Sequence, residues 1–372
     1  MARHRHVPCN TTRKMSMSLG LGVPAASSTS ELPLFRYERP PVTHGKDGKE
    51  RRVGLEVEFA GLDSEQTMAA IGEVFGGVQE QLGRNHGQVR GTPFGDFVVE
   101  LDSTLFRERA YVEALKNVGV DLDTEPGLGK AEDLVLRVVR EFVPFEVVAP
   151  PVAWSKLGEL EPLWQRLREL GARGTHAAWR YGFGLHLNPD VPSTTGHSLL
   201  SHLKAFLLLQ SWLVKEGRTA LSRRLGPFIR PFPTEYVELA LTPEYWPEQR
   251  VFIEDYLLHN PTRDRPLDLL PVFAHLNAEL IQSRVENPQL VKARPTFHYR
   301  LPNCDIDQVD WSPSLEWNRW LCVERLAHDG VALQELCQRY VDCQEKRGLV
   351  DAWPDELEAW MQSCPPYAAN GC

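Results

Sequence analysis

Residues 54–62 read GLEVEFAGL, with Glu56 and Glu58 one residue apart inside an otherwise apolar run. Side chains alternate faces along a strand, so Leu55, Val57 and Phe59 share one face and the two glutamates share the other, about 7 Å apart. Two carboxylates on one face repel each other unless water, a cation or a basic group lies between them. Two readings follow. One is an edge or half-exposed strand with a solvated acidic face; the other is a strand that offers oxygen ligands to a metal.

Outward from this strand, DSEQTMAAIGEVFGG has helical spacing, an N-cap at Asp63 or Ser64 and a closing glycine pair. GTPFGDFVVELDSTL predicts a turn and a strand at 97–101, and KAEDLVLRVVREF predicts a helix at about 130–142. FEVV reads as a short strand closed by Ala149-Pro150-Pro151, since two prolines do not extend a central strand. A helix at 156–170, a strand in RYGFGLHLNP and a buried helix at 198–216 follow. Further helices are expected at 246–259, 266–285, 330–345 and 354–363, with a strand at 296–301 and another element at 314–322. Short strands separated by long helical segments predict an α+β domain. The organisation expected is a leader over 1–35 without regular structure, a catalytic domain over 36–325 and a helical segment over 326–372. Met15 or Met17 is a candidate start.

Composition narrows the function classes. Lys and Arg number 41 against 50 Asp and Glu, a net charge of −9, which argues against a general nucleic-acid or anionic-membrane binder. Any polyanion must then be held locally, by placed arginines or a cation. No apolar run reaches the roughly 18 residues of a membrane span. The seven cysteines are odd in number and lack CxxC spacing, so reduced thiols in a cytoplasmic protein are expected.

Four predicted strands carry polar residues that a core strand would not choose: Glu56 and Glu58; Glu100, Asp102 and Ser103; Glu146 in FEVVAPP; His186 and Asn188 in GFGLHLNP. Each alone has a structural explanation, as a buried ion pair or a satisfied histidine. In order, GLEVEF, a strand ending in Asp102-Ser103, EVVAPP and GLHLN resemble the amidoligase family, which groups with glutamine synthetase and glutamate–cysteine ligase. The resemblance covers roughly 52–325. It implies a glutamine synthetase-like fold, a curved and mainly antiparallel sheet around a cleft with helices outside. It also implies an ATP-dependent carboxylate–amine ligase that forms an amide through an acyl phosphate, with ATP and Mg²⁺ or Mn²⁺ as cofactors. The partners implied are a small-molecule or peptide carboxylate and an amine, with no nucleic acid and no membrane.

The same resemblance assigns roles residue by residue. Glu56, Glu58, Glu146 and His186 are implied metal ligands, with His186 and Asn188 beside the nucleotide and Asp102 placed to orient or deprotonate the amine. The family closes its catalytic set with T-[IL]-E-F-R, for which the match taken is SLEWNR, giving Glu316 as metal ligand but Asn318 where arginine is expected. If that segment is a regular strand, Arg319 points to the opposite face, so Arg300 is the preferred phosphate contact, ahead of Arg223, Arg224 and Arg230. The missing arginine keeps open a ligase-like protein that binds without turnover. A metal-dependent hydrolase on Glu56, Glu58 and His186 is a third alternative, disfavoured by the lack of a second histidine at ligand spacing and of HExxH. Substrate pockets are expected on loops at 81–96 and 223–245, and the acid, the amine and the oligomeric state are left open.

Overall fold

The computed structural model describes residues 35–83, 85–101, 144–177, 183–221, 223, 229–345 and 352–364. Arg52–Phe59 form strand β1, and its alternation is the one read from GLEVEFAGL: Leu55, Val57 and Phe59 are buried in the core. Helix α1 (Ser64–Phe75) starts where Asp63 caps it. The Asp63 carboxylate accepts from the Gln66 N–H at 2.9 Å while Gln66 Oε1 accepts from the Asp63 N–H at 3.1 Å, so two backbone donors are satisfied reciprocally.

Strands β2 (Val78–Gly83), β3 (His86–Thr92) and β4 (Gly95–Leu101) form an antiparallel meander. Most of the loop expected at 81–96 is therefore strand. β2 lies at the sheet edge with every residue exposed, so VQEQLG carries no apolar alternation to announce it. β5 (Phe145–Ala153) runs past the point where the prolines were expected to stop it. A register shift against β1, between Val53 and Leu55, lets Pro150 and Pro151 pass without breaking the ladder. The helix expected at 130–142 lies outside the described residues.

After β5 come α2 (Glu161–Glu169), β6 (Leu185–Pro189), α3 (Gly196–Glu216), α4 (Thr234–Leu241) and α5 (Gln249–His259). The helix expected at 266–285 is three pieces. Leu267–Asp268 form β7, and Asn277 divides α6 (Leu270–Leu276) from α7 (Ala278–Arg284) by capping the second with its side chain. His298–Tyr299 form β8, followed by α8 (Pro313–His328), α9 (Gly330–Glu345) and α10 (Trp353–Ser363).

One open sheet has the order β2-β3-β4-β5-β1-β6-β8-β7, with antiparallel neighbours throughout. The helices attach to its apolar face. Phe75 of α1 stacks on Phe97 of β4 at 5.6 Å, while Tyr299 of β8 meets Phe206 of α3 at 6.0 Å and Trp320 of α8 at 5.2 Å. β1 is an interior strand between β5 and β6, so Glu56 and Glu58 are not the solvated face of an edge strand. The entry to β1 is anchored by a buried ion pair. Arg51 donates to both oxygens of Glu324 on α8, at 2.8 and 2.6 Å, and also to the carbonyls of Asp190 and Val42.

Among the described residues no helix is long and apolar enough to cross a membrane. Cys304, Cys337 and Cys364 are free thiols, but Cys322 is disulfide-bonded, so the expectation of reduced cysteines does not hold for every one.

Candidate functional site

The face of the sheet opposite the helices is where the strand glutamates collect. Cross-strand register sets Glu58 of β1 opposite Glu146 of β5, and Glu146 opposite Glu100 of β4. Directly opposed residues share a face with Cβ atoms about 4.5–5.5 Å apart, so three carboxylates stand side by side across three strands. On the other flank of β1, Glu56 is opposite His186 of β6. The His186 ring lies between the two glutamates, with Nδ1 2.9 Å from Glu56 Oε2 and Nε2 3.4 Å from Glu58 Oε1. The β8 strand adds His298, whose Nε2 is 3.6 Å from Glu56 Oε2.

Two overlapping donor groups result among the described residues: Glu58, Glu146 and His186; and Glu56, His186 and His298. Within each group the ligand atoms lie within 4.8 Å of one another. A set of carboxylates with imidazole suits a divalent cation, and like-charged carboxylates on adjacent strands gain from one. The buried His298 Nε2 makes no hydrogen bond, as a nitrogen kept for a ligand would.

Neighbouring side chains fix these donors. Gly184 donates its N–H to Glu58 Oε2 at 2.7 Å. Asn188 Nδ2 donates to Glu56 Oε1 at 2.9 Å, and Arg294 Nη2 donates to both Glu56 Oε1 and Asn188 Oδ1 at 3.3 Å. Burial opposes ionisation of Glu56, but the His298 and His186 imidazoles and the Arg294 guanidinium more than offset it and hold the carboxyl well below the usual range. Burial and the Arg300 guanidinium hold His298 well below the ordinary histidine value, against the pull of Glu56.

Arginines ring the site. Arg223 is buried, donates Nη2 to the Arg300 carbonyl at 2.5 Å and lies in the field of Glu58. Arg263 interacts with Arg300, Asp268 and Glu56. Asp268 of β7, opposite His298, has its pKa pushed up to about 6 by burial, moderated by Arg300 and by the Leu270 N–H.

Of the residues singled out from the sequence, Glu56, Glu58, Glu146 and His186 converge. Asn188 is beside them, bonded to Glu56. Asp102 lies outside the described residues. Glu316 stands apart from both donor groups: it is on helix α8, not a strand, and its buried carboxylate is taken by Arg319 one turn on. Burial raises its pKa to about 7 in spite of Arg319. Because residues three apart lie on one helix face, Arg319 is beside Glu316 and not opposite it, which overturns the strand register assumed for SLEWNR.

His298, Arg294, Arg263 and Asp268 were missed. For His298 and Arg300 a signal was present. TFHYR, residues 296–300, fits T-[IL]-E-F-R as well as SLEWNR does, keeping the threonine, an aromatic and the arginine and placing His298 where the pattern has glutamate. Alternation then sets His298 and Arg300 on the face that Tyr299 does not use.

The family model described as "Putative amidoligase enzyme" matches residues 49–322, a span that contains both donor groups. No curated protein and no solved structure matches the chain.

Proposed function

The chain belongs to the amidoligase family, and from that premise and the donor geometry we propose that it is an ATP-dependent carboxylate–amine ligase of glutamine synthetase-like fold. The observation that carries the proposal is the convergence of Glu58, Glu146 and His186, from three strands, on one polar face ringed by Arg223, Arg263, Arg294 and Arg300. A substrate carboxylate oxygen attacks the γ-phosphorus of ATP, the bond to the β-phosphate bridging oxygen breaks, and ADP leaves. The amine nitrogen then attacks the acyl carbon, the C–N bond forms, phosphate departs, and the amine proton passes to a base, the role given to Asp102.

A bound Mg²⁺ or Mn²⁺ would neutralise the phosphate oxygens and hold the triphosphate near the acid. Glu58, Glu146 and His186 are the residues to hold it, with Glu56 alongside. Arg300 and Arg223 grip the transferring phosphoryl group, since a guanidinium fork matches its paired oxygens. With Arg300 two residues after His298, the binding-only alternative loses the missing arginine that motivated it. Hydrolysis keeps one supporting observation, the second imidazole that His298 brings to Glu56.

Hydroxylamine as a general amine, offered with MgATP across a panel of carboxylic acids, tests the reaction. The expected result is hydroxamate formed in step with ADP. ATP-independent cleavage of amides or esters with no hydroxamate overturns the ligase in favour of the hydrolase.

A further inference from the structure

The turn that follows α3 is held in a conformation its sequence does not favour. Arg218 has a φ of 45°, in the left-handed region that a residue with a Cβ rarely adopts. Strain of this kind persists only where the surroundings over-determine it. Asn303, fully buried and three residues after Arg300, supplies that constraint. Its Nδ2 donates to the carbonyls of Gly217 at 3.3 Å and Arg218 at 3.1 Å, and its Oδ1 accepts from the Ala220 N–H at 3.0 Å. All three bonds go to the backbone of the turn, so one amide spans it from end to end.

The same segment confines Arg223, three residues beyond that turn. The Arg300 carbonyl accepts from Arg223 Nη2, and the Asn303 backbone bridges to Gly184, against which the guanidinium packs. Gly184 in turn donates its N–H to Glu58 Oε2. We infer that Asn303 is a positioning residue for the reaction: by pinning the Arg218 turn it sets the Arg223 guanidinium against Gly184, beside Glu58. A guanidinium that grips a transferring phosphoryl group acts by where it stands, and a displacement near about 1 Å is enough to lower turnover. The inference rests on the role given to Arg223 in the proposed function and adds the residue that places it. A cap with a structural role alone would cost stability when removed and leave kcat as it is.

Asn303→Ala, Arg218→Gly and the double variant of the full chain are compared by urea unfolding and by hydroxamate formation from MgATP, hydroxylamine and the carboxylic acid that supports it. Asn303→Ala should lower kcat about tenfold or more with the KM for ATP changed less than about threefold, because the displaced contact is made in the transition state. Glycine takes the left-handed conformation without strain, so Arg218→Gly alone should keep kcat within about threefold of wild type, and in the double variant it should restore kcat to that range. An undiminished kcat in a folded Asn303→Ala variant, or a double variant as slow as Asn303→Ala, overturns the inference. Unfolding decides it where no ligase activity is found. Gly184→Ala should lower the urea midpoint less than about half as much in Asn303→Ala as in wild type, since a released turn lets Arg223 retreat from the added methyl group. Equal losses in the two backgrounds overturn the inference, whereas unequal losses without hydroxamate fail the ligase reading alone. Should Asn303→Ala not fold, Asn303→Asp, which keeps the acceptor for Ala220 and loses both donated bonds, carries the same expectations.

Discussion

Gly184 has no side chain because Arg223 occupies the space one would fill. A Cβ built at 184 lies 2.5 Å from Arg223 Nη1, 2.6 Å from Nη2 and 2.9 Å from Cζ, where ordinary contact begins near 3.4 Å. In Gly184→Ala the guanidinium must retreat by about 0.9 Å, or the start of β6 must move by as much. Arg223 is buried and tied to the Arg300 carbonyl, so neither movement is free. Overpacking of this size costs about 1–3 kcal/mol. The same shift moves the positive charge that faces Glu58, and a displacement near 1 Å in a reacting site lowers turnover on the order of 10²-fold. Urea unfolding of Gly184→Ala, Arg223→Ala and the double variant measures the contact. In the Arg223→Ala background the alanine at 184 should cost almost nothing, giving a coupling of about 1 kcal/mol or more. If Gly184→Ala costs the same in both backgrounds, the steric explanation is wrong.

The other predictions concern the anchor, the pH response and the arginines. Glu324→Gln leaves Arg51 charged and buried without its anion, so it should lose about 3–5 kcal/mol in urea unfolding, whereas a loss below 1 kcal/mol would place the anchor elsewhere. Burial lowers His202 to about 4, so between pH 6.5 and 4 the unfolded chain binds a proton that the native chain refuses. Its contribution is therefore complete above pH 6.5 and lost as the pH falls towards 4, by about 3 kcal/mol in all. The stability of wild type relative to His202→Gln should fall by that amount across the window, and a flat difference would refute the assignment. Arg300→Lys should cut ADP release tenfold or more, because lysine keeps the charge without the fork. Arg319→Lys, where Glu316 takes the side chain, should change it less than threefold, and the reverse ranking would put Glu316 and Arg319 in the reacting site.

The sequence was most legible where burial and alternation agree. Leu55, Val57 and Phe59 had to face a core, which forced Glu56 and Glu58 together, and EVV and GLHLN repeat the logic on β5 and β6. Where polar residues must sit mid-sheet, the chemistry is visible in the pattern. Legibility failed where local signals were short or were outvoted. His298 lies in a two-residue strand, and its partners Glu56 and His186 come from far earlier in the chain, so no spacing rule links them. The element at 314–322 has its type left open and a strand only as a condition, although Ser312 and Pro313, just before it, are an N-cap and a first-turn proline, and the buried Trp317, Trp320, Leu321 and Cys322 follow helical spacing. β2 was hidden because an exposed edge strand has no apolar face to display.

The central claim is that the carboxylates joined across β1 and β5 hold the cation through which the chain binds nucleotide. Calorimetry of ATP binding to the full chain, with and without divalent cation, in wild type, Glu58→Gln and Glu146→Gln tests it most directly. Cation-dependent binding is expected in the wild type, with affinity lowered at least tenfold in each variant while their melting temperatures stay near the wild-type value. ATP binding that needs no cation, or that survives both substitutions unchanged, would contradict the claim.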